Sequence, residues 1–238
     1  MPAAPKPEKS SQEAKPVTIS VEGRYQVSGL AQPAIKGQAC YVLAHGAGAG
    51  MTHPFMVKAA NGLAEHGINS LRYQFPYMES RQRRPDAPAV AQATVRAAVA
   101  EASRQFPGLA LFAGGKSFGG RMTSQAQAES PLPGLRGLVF LGFPLHPPGR
   151  PSEERAEHLS DVEFPMLFVQ GTRDEFAELA RLKRVVEKLG ARAQLHLLAE
   201  ADHSFHVLKR SGRTESDIMA EAFNAVANWV EAQLKALK

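Results

Sequence analysis

The sequence predicts an α/β domain with a mostly parallel central sheet, helices on both faces and no large lid. Three observations predict it. Short, continuous apolar runs alternate with segments of helical periodicity. That is the pattern of strands buried on both faces and joined by crossover helices. Small, glycine-rich turns follow two of these runs, at His45–Gly50 and Gly114–Gly120. The segment between two later runs, Gly142–Glu163, is only about 22 residues long, too short for a lid domain.

Each element follows in order. Val17–Val21 and Arg24–Val27 read as an opening pair of strands. Ala39–Ala44 is a strand that ends at His45-Gly46-Ala47-Gly48-Ala49-Gly50. Met56–Glu65 is helical and stops at Gly67, and Asn69–Tyr73 is the next strand. Ala87–Gln105 carries Val90, Val95 and Val99 at helical spacing and ends before Pro107. Leu109–Ala113, Gly137–Leu141 and Met166–Gln170 are strands. Glu175–Leu189 is helical with a stop at Gly190, and Gln194–Leu198 is the last strand. Glu215–Leu237 is a C-terminal helix bearing Trp229, the sole tryptophan.

The chain has 238 residues, which suits one domain of the larger α/β kind, over 17–238. Residues 1–16 are rich in Pro, Lys, Ser and Glu and read as a disordered tail. That tail has no apolar core of a secretory signal. No stretch approaches the roughly 18 apolar residues of a membrane helix. The expected setting is cytoplasmic, with no membrane partner. A single cysteine, Cys40, makes no internal disulfide and reads as a small core residue. The net charge of +5 comes without a basic stripe interleaved with aromatics, so nucleic-acid binding is not expected.

Gly115-Lys116-Ser117-Phe118-Gly119 is the most informative stretch. It lies between an apolar run and a helical pattern. G-x-S-x-G at a strand–turn–helix junction is a nucleophile elbow. The strained turn lifts the serine hydroxyl clear of the sheet, beside the amides of the next helix. Gly115-Lys116-Ser117 also imitates the end of a phosphate loop. That motif needs glycine at position 110, where Ala110 stands.

A serine needs a base, the base an acidic orienter, and the tetrahedral oxyanion a pair of donors. In the elbow-bearing fold the chain order is serine, acid, histidine. Asp174 follows the strand and turn Phe168–Arg173 and is the acid candidate. It is equally suited to cap a helix opening at Glu175. Glu175 and Asp161 compete with it. His203, just past the last strand, is the base candidate, with His206 as competitor. His66 and His196 read as surface or packing residues. The oxyanion donors are expected to be the backbone amides of Phe118 and Ala47. The loop at Ala47 is no dinucleotide fingerprint, because Met51 stands where the third glycine belongs.

His45, Arg72, Lys116 and His146 are candidate substrate contacts. His158 shares the segment after Leu141 with His146. Arg72, Arg81, Arg83 and Arg84 lie near a strand's carboxyl end and either favour an anionic substrate group or form a solvated face. No HExxH, paired cysteines or carboxylate-rich loop is present, so neither metal nor cofactor is expected.

Several stretches together resemble one branch of the α/β-hydrolases. They are His45-Gly46-Ala47-Gly48-Ala49, Arg72–Tyr77, Gly114–Met122, Gly142–Gly149 and Gln170–Asp174. The branch lies near the dienelactone hydrolases. It includes bacterial predicted hydrolases and the hydrolase-like domains of a testis-expressed protein and a histone-acetyltransferase complex subunit. The resemblance covers roughly 18–236. Gly-Lys-Ser-Phe-Gly-Gly-Arg and Phe-Pro-Leu-His-Pro are its more specific parts. It implies Ser117, Asp174 and His203 in the triad positions, with serine where dienelactone hydrolases proper use cysteine. The expected activity is hydrolysis of a small ester or thioester through an acyl-enzyme. The alternative is a non-catalytic interaction module built on the same scaffold.

Overall fold

The computed structural model describes residues 13–236. Its strands are β1 (Lys15–Val21), β2 (Tyr25–Gln32), β3 (Ala39–Ala44), β4 (Ile68–Tyr73), β5 (Ala110–Lys116), β6 (Leu135–Leu141), β7 (Met166–Gly171) and β8 (Ala193–Leu198). The helices are α1 (Pro54–Glu65), α2 (Pro76–Glu79), α3 (Pro88–Gln105), α4 (Phe118–Glu129), α5 (Leu179–Leu189) and α6 (Glu215–Lys235). Residues 1–12 of the expected tail lie outside the described residues. Lys15 and Pro16, placed in that tail by composition, open β1 instead, because β2 offers a full antiparallel partner from Lys15↔Ala31 to Val21↔Tyr25.

Among the described residues the strands form one sheet in the order β1-β2-β4-β3-β5-β6-β7-β8. The β1/β2 and β2/β4 pairs are antiparallel. Every pairing from β4 through β3, β5, β6 and β7 to β8 is parallel. β3, β4 and β7 are buried along their whole length, which is why β3 and β7 read as near-continuous apolar runs rather than alternating ones; β4 buries Asn69, Ser70 and Arg72 among its residues.

The sheet separates two apolar cores. One, with α3, α4 and α5, holds the packed rings of Phe140, Phe143 and Phe168. The other, with α1 and α6, holds Phe112 against Trp229 at 5.7 Å between ring centres. Removing a buried aromatic of this kind costs about 3–5 kcal/mol. Cys40 is fully buried in the first core.

The long helices match the sequence reading to within a few residues, with one exception. The helix expected from Glu175 begins at Leu179. Asp174–Glu178 form a separate turn, held by bonds from His146 N–H to Phe176 O and from Glu178 N–H to His146 Nε2. Asp174 therefore caps no helix. Between β6 and β7 runs a short connection with one stretch of tight helix, Glu154–Asp161, and no lid domain.

The chain order reverses between the β3/β4 and β3/β5 pairs, so loops after β3 and β5 diverge and leave a crevice at the strands' carboxyl ends.

Candidate active site

β5 ends at Lys116 and α4 begins at Phe118, so Ser117 is the whole turn between them. Its backbone sits at φ +49°, ψ −114°, a conformation costly for any residue with a side chain. Neighbours must be small for the turn to fit. A Cβ on Gly119 would lie 2.6 Å from His45 O. A Cβ on Gly115 would fall onto the Ala44 carbonyl. The glycines let α4 start directly against the end of β3.

The sheet brings three residues together from positions far apart in sequence. His203 Nε2 lies 2.8 Å from Ser117 Oγ, and His203 Nδ1 lies 2.7 Å from Asp174 Oδ2. The ionised Asp174 accepts, so Nδ1 carries the proton and Nε2 faces the serine hydroxyl as acceptor. The Asp174 side chain is wholly buried, and His203 keeps an edge exposed to the cavity. Asp174 Oδ2 also accepts from Gln170 Nε2 at 2.5 Å, and Oδ1 accepts from Phe176 N–H at 2.8 Å. The Phe176 ring lies over His203 at 4.3 Å. Burial holds the His203 imidazole below its ordinary pKa, the Asp174 bond opposes that, and the Lys116 charge adds to it. The ring is thus neutral and able to accept a proton at neutral pH.

His206, the competing base, is exposed and lies near Asp202 and Glu215 rather than Ser117. Asp161 ends the Glu154–Asp161 helix, away from His203.

The loop after β3 borders the serine. A Cβ on Gly46 would stand 3.8 Å from Ser117 Cβ. Among the described residues, neither Ala47 N–H nor Phe118 N–H finds an internal acceptor. Phe118 N–H belongs to the first turn of α4, where amides point outward and favour negative charge. Gly48 N–H, by contrast, is used by Tyr77 Oη at 3.1 Å.

A cavity of about 450 Å³ opens over Ser117 and His203. Its walls include Phe55, Phe176, Phe205 and Met219, and Lys116 reaches its floor. A larger concavity of about 680 Å³ lies between β8 and α6, but no member of the Ser117–His203–Asp174 chain is on its wall.

Three candidate substrate contacts are not on the cavity wall. His45 is fully buried, donates from Nδ1 to Gly46 O and accepts Phe75 N–H at Nε2. It braces the β3 loop against the chain after β4. Arg72 is buried under that loop and bonds Met51 O and Gln32 Oε1. His146 is buried with both ring nitrogens engaged, to Pro147 O and Glu178 N–H. Each was read as a contact because it stands near a strand's carboxyl end, yet each side chain turns into the protein. Arg81, Arg83 and Arg84 are exposed and off the cavity wall. His158 bonds Ser124 at 2.7 Å.

Gln170, Phe55, Phe176 and Phe205 were not singled out by sequence. Gln170 left one trace, a lone amide in the otherwise apolar run Met166–Gly171. The aromatics come from loops and a helix start that only folding brings together.

Residues 37–231 match the model of the family described as "Alpha/beta hydrolase domain". The chain belongs to the alpha/beta hydrolase domain family. Solved members of the wider alpha/beta hydrolase group are similar in fold. A serine hydrolase without a lid from Xanthomonas campestris is 22% identical, over 91% of this chain and 95% of its own, with a TM-score of 0.71. A dienelactone hydrolase from Anabaena variabilis is 20% identical, over 95% and 98%, with a TM-score of 0.69. A serine hydrolase homologue from Coxiella burnetii is 18% identical, over 90% and 98%, with a TM-score of 0.72. Among the described residues of this alpha/beta hydrolase, no helix is long and apolar enough to cross a membrane. Nor does any group of three His, Cys, Asp or Glu side chains stand together as a metal site.

Proposed function

We propose that the chain is a serine hydrolase of small carboxylic esters or thioesters. The observation that carries this reading is the unbroken hydrogen-bond line Ser117–His203–Asp174 on the floor of an open cavity. Ser117 Oγ attacks the substrate carbonyl while His203 Nε2 takes its proton. Asp174 holds the Nδ1–H tautomer and balances the imidazolium that forms. The oxyanion falls to the Ala47 and Phe118 amides. His203 returns the proton to the leaving alcohol or thiol. Water, activated by the same imidazole, then releases the acid from the acyl-serine. No step draws on a metal or cofactor.

The aromatic walls and the modest volume favour a small or slender acyl group over a polymer. The dienelactone hydrolase among the structural neighbours agrees with ester chemistry, and nearness to that branch is part of the proposal. So are a single domain from β1 onward and a cytoplasmic setting.

Intact mass after incubation with a fluorophosphonate tests the reading. One adduct is expected on the wild type, none on Ser117→Ala, and a slower one on His203→Gln. A folded wild type that takes no adduct and cleaves no short-chain ester overturns it, in favour of an interaction module on a hydrolase scaffold.

A further inference from the structure

Lys116 has no part in the steps just described, yet it is placed with care. It precedes Ser117 on β5, and its Nζ donates to the backbone carbonyl of His203 at 2.5 Å. The Phe55 and Phe205 rings flank it at 5.7 and 5.5 Å. A Cβ on Gly142, at the end of β6, would stand 2.8 Å from Nζ and 3.5 Å from His203 Cε1. The ammonium thus sits close to the imidazole, at the floor of the cavity and held by the His203 carbonyl. Among the described residues it has no carboxylate within ion-pair distance.

We propose that Lys116 is a positioning residue that pins the His203 loop through the His203 carbonyl and keeps the imidazole in its neutral, proton-accepting form. The proposal rests on the hydrolase reading for its use, but not for its measurement. Two effects act together. The carbonyl bond ties the loop after β8 to the strand that carries Ser117, so base and nucleophile move as one body. The ammonium, a like charge a few ångströms from the ring, opposes imidazolium formation.

The charged groups facing the ring are few. Asp174 approaches from the loop after β7, and Asp202 precedes the histidine. Lys58 of α1, with His53, His206 and Glu215, stands at the cavity wall. Of these, Asp174 and Asp202 favour the imidazolium, and Lys116 opposes it. Burial brings Lys116 itself down to about 8, with Asp174 and Asp202 opposing. It is therefore charged where the base is needed.

The test is an NMR titration of the His203 Cε1–H signal, assigned by its loss in His203→Gln, alongside pH profiles of kcat/KM for a 4-nitrophenyl ester. Lys116→Met removes both charge and donor. Lys116→Gln removes the charge and retains an N–H. In both, His203 is expected to titrate about one pH unit higher, a roughly tenfold change in its protonation equilibrium. The acid limb of kcat/KM moves with it, and Lys116→Gln keeps more of the plateau rate than Lys116→Met. In the wild type, the His203 signal should show a second inflection as Lys116 loses its proton. That measurement stands even if neither variant folds. A His203 titration unchanged in the folded variants, or flat in the wild type through the Lys116 range, overturns the proposal. Because the NMR signal is independent of turnover, a wild type that takes no fluorophosphonate adduct and cleaves no ester ends the hydrolase reading and leaves this one still decided.

Discussion

Gln170 donates to the same Asp174 oxygen that accepts from His203. The amide has only one way to stand, because its Oε1 accepts Phe143 N–H at 2.8 Å. Gln170 therefore presents N–H to Asp174, and the carboxylate is ringed by three donors, Gln170 Nε2, Phe176 N–H and His203 Nδ1–H. A buried carboxylate satisfied in this way is held in a fixed orientation.

Asp174→Asn is expected to lower kcat by about 10³–10⁴. The new amide must turn its N–H₂ toward a donor on one side, Phe176 N–H or the Gln170–His203 pair, and it offers His203 at best a neutral acceptor in place of the charge that balances the imidazolium. The stranded donor costs about 1–3 kcal/mol of stability. Steady-state kinetics and urea unfolding of the same preparation check both numbers. Unchanged kcat in the folded variant would remove Asp174 from the proposed mechanism.

Gly119→Ala is expected to reduce soluble yield and, where folded, to depress activity by at least tenfold. The added methyl meets His45 O at 2.6 Å, and that contact is backbone, which cannot swing aside. Relief requires α4 to back away from β3, and the Phe118 amide moves with it. A misplacement near 1 Å is enough for about a 10²-fold loss. Thermal melting and fluorophosphonate labelling rate are the measurements.

His45 predicts a pH dependence of stability. Burial lowers its pKa to about 4, from an ordinary 6.5. Between those values the unfolded chain binds the proton and the folded one does not, so stability rises with pH. The contribution is complete above pH 6.5 and lost as pH falls toward 4. Its size is about 3 kcal/mol, and it adds to the ordinary acid destabilisation. Urea midpoints at pH 7 and 4.5 should differ more in the wild type than in His45→Asn. Equal differences would reject the account.

The triple change of Arg81, Arg83 and Arg84 to serine is expected to alter kcat/KM less than twofold, for neutral and anionic esters alike. These side chains are exposed and away from the cavity, and exposed charges are screened within about 10 Å at ordinary salt. A selective loss on anionic esters would restore the steering role that their sequence position suggested.

The parts legible in sequence share one property: they are written in local pattern. Apolar runs marked β3, β5, β6 and β7, and the elbow at Ser117 needed only its own neighbours to be read. Chain order then pointed to Asp174 and His203. Side-chain direction was not legible. Arg72, His45 and His146 stand at strand ends like true site residues, but the β3 loop and the Asp174–Glu178 turn fold over them and take up their polar atoms. The start of α5 was misread because Glu175–Glu178 continues the helical composition. Its backbone groups are instead spent on His146 and Asp174, a tertiary contact that no window of sequence contains.

The left-handed backbone at Ser117 has one more implication. The proposed nucleophile is also one of the least comfortable residues, held at an angle that only glycine adopts freely. A glycine there would ease the chain and delete its hydroxyl in the same stroke. Selection for a sturdier fold alone would thus work against this serine. On the proposed mechanism, the serine at 117 is a local concession of the scaffold to reactivity.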